Sequence, residues 1–344
     1  MDLSKYIINP SSFEVENDFI REGNFGQVSL VHPKDDYNYK IALKKIPLDP
    51  DDKDLEKNFI REVTIMASLN HPNILDLIGF SLSSKKEQTF QIYTKYLPIS
   101  NVTLKEENHE KKLNGTQRTI IVYGIASAMS YLHRNNIVHR DLKPENIFLD
   151  EEFHPVLSDF GLSRICQEGT KMTGKLGTPY FMAPELFTDE EEKITKKIDV
   201  YAFAVTLLSM FTVDYKFEGI QPRTLNQLVS AVTNGKRYKI PNDVPEYYAS
   251  LIKRCWSNDI NERPSFDEII NEFDKNDDFI LPGASKTKVY KFISGIKSFD
   301  DHNRINKLVF CSPTSTEEEK ETYMDEETKE FDFFKKKRNK IFIL

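Results

Sequence analysis

The segment that decides the fold is His139–Asn146, which reads HRDLKPEN, together with Asp159–Gly161, which reads DFG. Asp159 follows Asp141 by eighteen positions, and both segments lie in a loop-rich stretch from 136 to 196. The two segments collect carboxylates, an amide and cationic side chains. A solvated, charge-rich loop is the alternative interpretation, but it leaves the joint order of these residues unexplained.

Helical patterns surround this loop-rich stretch. Apolar residues recur from Ile121 to Leu132 at steps of four, three and four, which predicts an amphipathic helix over 116–135. Thr116 is the expected N-cap of that helix. Further helices are predicted at 199–211, 224–233, 246–256 and 265–273.

Strand patterns predominate nearer the N-terminus. One helix interrupts them, with apolar residues from Leu55 to Met66 on one face and with Asp52 or Asp54 as its cap. The sequence therefore predicts an α+β fold, in which a small β-rich lobe with one main helix precedes a larger, mainly helical lobe. The predicted strands are 19–20, 28–31, 39–46, 74–81 and 89–97.

A glycine-containing turn lies between the first two predicted strands. Residues 23–28 read GNFGQV, and glycines in such a turn let main-chain N–H groups approach phosphate oxygens. An ordinary hairpin turn explains Gly23 and Gly26 equally well. A dinucleotide-binding fold is disfavoured, because its glycine motif opens a helix whereas residues 28–31 continue as a strand.

Lys44 and Glu62 form a possible ion pair beside this turn. Lys44 lies on the third predicted strand, and the local alternation does not decide which face of the sheet it occupies. Most strand lysines are solvated, but one below a glycine loop can pair with phosphates. Glu62 lies beside the apolar stripe of the following helix, although an isolated glutamate there is more typical of an exposed residue.

Residues 139–146 and 159–161 match the HRDLxxxN and DFG motifs of the eukaryotic protein kinase family. The resemblance continues through Gly177–Glu185, which is similar to the APE segment and substrate-docking loop, and covers about three quarters of the chain. It implies a bilobal protein-kinase-like fold. The implied parts are an N-lobe at 13–97, a C-lobe at 98–276 and a polar, flexible tail at 277–344.

The resemblance implies transfer of the γ-phosphate of Mg·ATP to a hydroxyl of a protein substrate, for which positioning and electrostatics supply most of the catalysis. Asp159 and Asn146 would hold Mg²⁺, whose preference is for oxygen ligands. Asp141 would orient the substrate hydroxyl and accept its proton, and Lys143 would neutralise the moving phosphate. Thr178 would hydrogen bond to Asp141 and Lys143.

The same resemblance implies a set of nucleotide-binding residues, for most of which plain core packing is the alternative. Lys44 would anchor the α- and β-phosphates, with Glu62 holding its side chain extended. Thr94 would be the gatekeeper of the adenine pocket, and Arg21 stands where the first glycine of the kinase loop is expected. The implied contacts to ATP are Ile20, Gly23, Gly26, Val28, Ala42, Lys44, Thr94, Lys95, Leu97, Phe148 and Asp159.

Smaller signs point to a substrate class. Lys143–Glu145 and Gly177–Pro179 are similar to the corresponding segments of Ser/Thr kinases, which favours Ser or Thr as the acceptor. The stretches at 71–75 and 199–203 resemble the tyrosine-kinase-like group of Ser/Thr kinases. In that family pattern Arg263 pairs with Glu185 and ties the docking segment to the C-terminal helices.

Arg140 suggests how such an enzyme would be regulated. An arginine beside the catalytic aspartate resembles kinases whose activation loop is ordered by a phosphate group. Thr170 and Thr173 are the expected acceptors, phosphorylated by an upstream kinase or by the protein itself, and Ser163 is a weaker candidate. A solvated loop is an equally good interpretation for either threonine.

A kinase-like scaffold that has lost transfer activity is the main alternative function. Pseudokinases typically lack the strand lysine, the HRD aspartate or the DFG aspartate, whereas Lys44, Asp141 and Asp159 are all present. Completeness of this set favours an active enzyme in signalling.

Composition sets the remaining expectations. The net charge of −7 argues against a protein that binds nucleic acid, and three widely separated cysteines favour a reducing compartment. No transmembrane segment is expected, because the longest apolar stretch, 200–211, is too short to span a bilayer. The predicted location is cytoplasmic, with nuclear access possible. The basic run at 335–338 is compatible with nuclear import or with contact to an anionic membrane, but a solvated tail is the favoured interpretation. The oligomeric state stays open.

Overall fold

The computed structural model describes residues 3–23, 26–49, 54–82, 89–97, 113–165, 177–188, 195–212 and 216–310, with side chains except at 18–26 and 300–310. These residues fall into two units. The first unit contains the chain up to Leu69, Asp76–Tyr96 and the end of the last helix from Ser298. The second contains Asn70–Leu75 and Leu97–Lys297.

The first unit is built on a five-stranded antiparallel sheet with strand order β1-β2-β3-β5-β4 and one helix, α1. The first strand is much longer than the predicted 19–20. The prediction fell short because β1 is an edge strand, and its solvent-exposed residues Glu14 and Glu16 interrupt the apolar pattern. The elements are β1 Phe13–Gly23, β2 Gly26–Pro33, β3 Ile41–Pro47, α1 Leu55–Ser68, β4 Leu77–Ser81 and β5 Thr89–Lys95.

The two faces of this sheet bury different apolar clusters. Ile41 and Leu43 pack with Val31 and Tyr93 on one face. On the other face α1 packs through Phe59, whose ring stacks on Phe90 with 4.5 Å between centroids. Successive strand residues point to opposite faces. Lys44 therefore shares the α1 face, which settles the orientation that the sequence left ambiguous.

The second unit is mainly helical, and its first five helices lie within two residues of their predicted bounds, whereas the last helix has no predicted counterpart. Every residue of α3 from Ile198 to Ser209 is buried, so this helix forms the centre of the unit. Its helices are α2 Gly115–Arg134, α3 Lys197–Ser209, α4 Leu225–Thr233, α5 Glu246–Cys255, α6 Phe266–Lys275 and the part of α7 Lys286–Phe310 that precedes Ser298. Two short antiparallel strand pairs are also present, β6 Ile137–Val138 with β9 Arg164–Ile165 and β7 Ile147–Leu149 with β8 Pro155–Leu157.

The N-terminus of α2 differs from the prediction in its cap. Asn114, not Thr116, is the N-cap, because its extended backbone lets its side chain accept from Gln117 N while Gln117 Oε1 accepts from Asn114 N. Thr116 lies inside the first turn, and its hydroxyl accepts instead from Ser285 N at 2.8 Å.

The predicted flexible tail from residue 277 is wrong for residues 279–297. Phe279 is fully buried, and its carbonyl accepts a hydrogen bond from the Tyr248 hydroxyl. In α7 the residues Val289, Ile293 and Ile296 are buried and recur at steps of four and three, a helical stripe that the many polar residues around it obscure. Residues 311–344 lie outside the described part of the chain.

This C-terminal segment packs closely on α2. Leu281 N donates to Thr119 Oγ1 at 3.1 Å, and a Cβ at Gly115 would lie only 2.9 Å from the Pro282 carbonyl oxygen. The absence of a side chain at Gly115 therefore permits the contact. None of the helices in the described ranges is both long and apolar enough to cross a bilayer.

Val289→Ala should lower the free energy of unfolding by about 1–3 kcal/mol, because it removes methyl groups from a fully buried site. Lys291→Ala, on an exposed position of the same helix, should change it by less than about 0.5 kcal/mol. Urea unfolding followed by circular dichroism measures both. Equal stability of the two variants would show that α7 does not contribute to the folded core.

Candidate active site

The backbone of the HRD segment is held by one buried carboxylate, that of Asp199 on α3. Asp199 accepts from His139 N and Arg140 N at 2.9 Å each and contacts His133 Nε2 at 2.9 Å. Burial alone would raise the pKa of Asp199, but the hydrogen bond and charge of His133, the nearby His139 and the amide of Arg140 hold it below its usual value. An ionised carboxylate thus lies beneath the loop.

Two residues of this region have unusual backbone conformations. Arg140 and Asp159 have φ values of 71° and 64°, in the left-handed region that non-glycine residues rarely occupy. Such strain persists only where surrounding contacts over-determine it. The bond from Arg140 N to Asp199 supplies one such contact, and next to Asp159 the buried ring of Phe160 packs edge-on against His139 with 5.4 Å between centroids.

Asp141 lies at the centre of a hydrogen-bonded network. Its Oδ1 accepts from the main-chain N and the hydroxyl of Thr178 at 3.0 and 2.9 Å, and its Oδ2 accepts from Lys143 Nζ at 2.6 Å. Lys143 Nζ also donates to Thr178 Oγ1 at 2.6 Å. The structure therefore brings together Asp141, Lys143 and Thr178, from segments more than thirty residues apart in sequence.

Asn146 is oriented by the same aspartate. Its side-chain Nδ2 donates to Asp141 O at 2.8 Å and to Asp141 Oδ2 at 3.0 Å, while its main-chain carbonyl accepts from Ser158. With the amide nitrogen engaged in this way, the side-chain oxygen is the group left to meet a cation. Asp159 follows Ser158 directly and is partly exposed.

These residues fit a magnesium ion that arrives with a phosphate ligand. Among the residues that the structure describes, no group of three or more His, Cys, Asp or Glu could hold a metal. Mg²⁺ in phosphate-binding sites needs no such cage, since it usually takes one or two protein oxygens and completes its shell with phosphate and water. Asn146 and Asp159 offer one amide and one carboxylate of that kind.

In the first unit, Lys44 and Glu62 form an ion pair with 2.8 Å between Nζ and Oε1. Glu62 is buried on α1 and Lys44 is partly buried. The exposed-glutamate interpretation of Glu62 therefore does not apply. The buried carboxylate of Glu62 thus holds the ammonium of a lysine whose side chain is still 21% exposed.

The strand register places several predicted nucleotide contacts on the face that carries Lys44. Val28 pairs with Lys44, and Ala42 pairs with Thr94. Gly23 and Gly26 pair at the end of the β1–β2 hairpin, next to which Arg21 pairs with Val28. Ile20 lies on β1, but its side chain is outside the described part.

The remaining predicted adenine contacts are placed as follows. Lys95 ends β5 with an exposed side chain, and its main-chain N donates to Asp76 O at 3.1 Å. Leu97 is buried in the second unit, and Phe148 is half-buried on β7 of that unit.

The predicted pair of Arg263 and Glu185 is confirmed. Arg263 donates two parallel bonds to the carboxylate of Glu185, at 2.6 and 2.9 Å, and the two side chains are 0% and 4% exposed. Tyr201 covers this pair, with Arg263 Cζ 5.3 Å from its ring centroid and Arg237 Cζ 5.2 Å from it. This cation–π arrangement is not visible in the sequence, where Tyr201 appears only as one apolar residue of a helix.

Of the three candidate phosphorylation sites, only Ser163 lies in the described part of the chain. Ser163 is fully buried, and its hydroxyl donates to His139 O at 3.2 Å, so this weaker candidate is enclosed in the fold. Thr170 and Thr173 lie outside the described residues.

His133, which sequence reasoning missed, contacts Asp199 from the last turn of α2 and has no motif around it that would mark it.

Comparison with known proteins identifies relatives of this arrangement. The family described as "Protein kinase domain" matches residues 15–273. A probable serine/threonine-protein kinase of Dictyostelium discoideum is 34% identical over 234 residues, which cover 67% of this chain and 25% of that protein. Two proteins of Arabidopsis thaliana are also similar. The serine/threonine/tyrosine-protein kinase HT1 is 30% identical over 76% of this chain and 66% of its own length. The serine/threonine-protein kinase CTR1 is 34% identical over 73% and 30% respectively. The chain thus spans only part of each relative's length.

Glu185→Gln should lower the free energy of unfolding by about 3–5 kcal/mol, because it leaves the buried guanidinium of Arg263 without a counter-charge. Arg254 and Glu272 form a matched control, since they make the same two-bond contact at 2.7 and 2.6 Å but are 41% and 32% exposed. Glu272→Gln should cost about 0–1 kcal/mol. Guanidinium unfolding distinguishes the two, and equal losses would contradict a special role for burial.

Proposed function

The chain belongs to the protein kinase family, and from this premise we propose that it is a Mg²⁺- and ATP-dependent protein kinase that phosphorylates Ser or Thr residues of protein substrates in signalling. The observation that carries the proposal is the network in which Asp141 is bonded to Lys143, Asn146 and Thr178. All the acidic, amide and cationic groups that phosphoryl transfer requires are present in this chain.

Asp141 is the proposed base. Thr178 donates to one carboxylate oxygen of Asp141 and Lys143 donates to the other. These bonds fix the orientation of the carboxylate, so that a substrate hydroxyl would meet an oriented acceptor. Asp141 would accept the proton of that hydroxyl as transfer proceeds. Lys143, already beside Asp141, would place a positive charge next to the transferred phosphate.

When bound, ATP would supply the γ-phosphoryl group, and Mg²⁺ would offset part of the negative charge of the phosphates. Asn146 and Asp159 would provide the protein oxygens for the metal. Lys44 would pair with the α- and β-phosphates, and Glu62 would keep its ammonium in place. The hairpin of Gly23 and Gly26 would cover the phosphates, with the departure that Arg21 replaces the usual first glycine.

A kinase-like scaffold without transfer activity is the second candidate, and Arg21 is the observation that favours it. A bulky cation at this position could weaken nucleotide binding. The intact Lys44–Glu62 pair and the complete network of Asp141 weigh against it. The protein substrate and an activating kinase, or autophosphorylation at Thr170 or Thr173, would be the partners of the active enzyme.

Asp141→Asn should lower the rate of phosphate transfer by at least about a hundredfold, because an amide cannot accept the substrate proton. Binding of Mg·ATP should persist. The assay uses the full chain, labelled ATP, Mg²⁺ and a generic basic protein, followed by hydrolysis and identification of the labelled amino acid. Label on phosphoserine or phosphothreonine would support the proposed acceptor class.

Asp150→Asn is the control for this assay. Asp150 also accepts main-chain hydrogen bonds, from Glu152 N and His154 N, but lies in the turn between β7 and β8, away from Asp141 along the chain. It should retain transfer activity. Equal transfer by wild type and Asp141→Asn would refute the role of Asp141, and nucleotide binding without transfer by wild type would favour the scaffold.

A further inference from the structure

Residues 3–8, the N-terminal strap, lie before the part of the chain that matches the kinase family, which begins at residue 15. They form a short 3-10 helix, Leu3–Tyr6, followed by Ile7 and Ile8. Leu3 is buried. The strap is therefore packed into the first unit, although the family pattern does not include it.

The strap covers the open edge of the sheet. β4 is an edge strand, with β5 on one side, and Ile7 forms a parallel bridge with Phe80 on its other side. Ile8 N donates to Phe80 O at 2.8 Å. Edge strands with unpaired main-chain groups are normally covered in this way.

The strap also contacts elements on both faces of the sheet. Ile8 packs against the cluster of Val31, Ile41, Leu43 and Tyr93, on the face away from α1. Two residues earlier the Tyr6 hydroxyl donates to Ala67 O at 3.4 Å, in the last turn of α1, where carbonyls lack partners within the helix. The strap thus joins β4 to the end of α1.

Gly79 on β4 is adapted to the strap. A Cβ at this position would lie 2.5 Å from Ile8 Cδ1 and 2.5 Å from the main-chain oxygen of Tyr6. No side chain fits there unless the strap moves. Adding a single methyl group at Gly79 should therefore displace the strap without altering any residue of the candidate active site.

Contacts lead from the strap to Glu62. Phe80, whose main chain holds the strap, packs edge-on against Phe59 of α1 with 5.9 Å between ring centroids. Glu62 lies one turn further along α1 and holds Lys44. The strap thus contacts α1 in two ways. It donates a hydrogen bond to the last turn of α1, and it binds the main chain of Phe80, whose ring packs on α1.

We propose that the N-terminal strap positions Glu62, so that the Lys44–Glu62 pair stays formed and Lys44 is held in its place for transfer. Residues of the strap are positioning residues, since they act through α1 and not on the substrate. The inference rests on the proposed kinase function for its effect on the rate. Its effect on α1 does not depend on that function.

The first test is Gly79→Ala in the full chain, measured well below the melting temperature. The turnover number should fall about tenfold, because small displacements of a positioning contact are costly to transfer. Amide hydrogen exchange should accelerate about tenfold in α1 and β4 but not in α2. Gly295→Ala, where a Cβ has nothing within 4 Å, is the matched control and should change neither quantity.

A double-mutant cycle with Glu62→Gln separates positioning from general stability. If the strap acts through Glu62, Gly79→Ala should cost no more than about twofold in turnover once Glu62 has been replaced. The same tenfold cost in both backgrounds would overturn the proposal, and so would unchanged exchange in α1. Ile8→Ala provides the same test if Gly79→Ala does not fold. If the wild type transfers no phosphate, the proposed function fails, while the exchange experiment still decides the role of the strap.

Discussion

The second unit depends on one buried charge, the carboxylate of Asp199, beneath the loop that carries Asp141. A buried carboxylate is costly unless it is fully hydrogen-bonded, and here two main-chain amides and one imidazole meet that requirement. In return, the amides of His139 and Arg140 are fixed to α3, a helix buried on all sides. Arg140 keeps a left-handed conformation under this constraint, and Asp141 follows it directly in the chain. The orientation of the Asp141 side chain therefore depends on the attachment of the preceding two residues to the buried helix α3.

The other buried charges follow the same rule of local compensation. Glu185 and Arg263 neutralise each other where neither is accessible to water, and Tyr201 places its ring against the guanidinium. Lys44 and Glu62 form a similar pair in the first unit, but with Lys44 partly exposed. The difference matters, because only the Lys44–Glu62 pair is reached by solvent. The fully enclosed pair can only hold the fold together.

Sequence reasoning predicted the motif residues well and the flanking segments poorly. The HRD and DFG segments were readable because several specific residues occur together at a fixed spacing, and the Arg263–Glu185 pair was implied by the resemblance to kinases that those segments carry. The side of the sheet on which Lys44 lies was not readable, because β3 has buried residues on both faces and alternation gives no signal. Helix α7 was missed because three buried residues are diluted among many polar ones. The strap was missed because residues 3–8 carry no motif or clear periodicity, and its main-chain bond to Phe80 and the close approach of Gly79 depend on the fold and not on residue type.

The most direct test of this account is amide hydrogen exchange at His139 and Arg140, compared between wild type and Asp199→Asn. In the wild type these two amides should exchange only through global unfolding. Asparagine offers one side-chain oxygen where the carboxylate offers two. In the variant, at least one of the two amides should therefore exchange about 10- to 100-fold faster than global unfolding allows, as expected for the loss of a hydrogen bond to a charged group. Protection at the global level in both proteins would contradict the claim that Asp199 holds the loop.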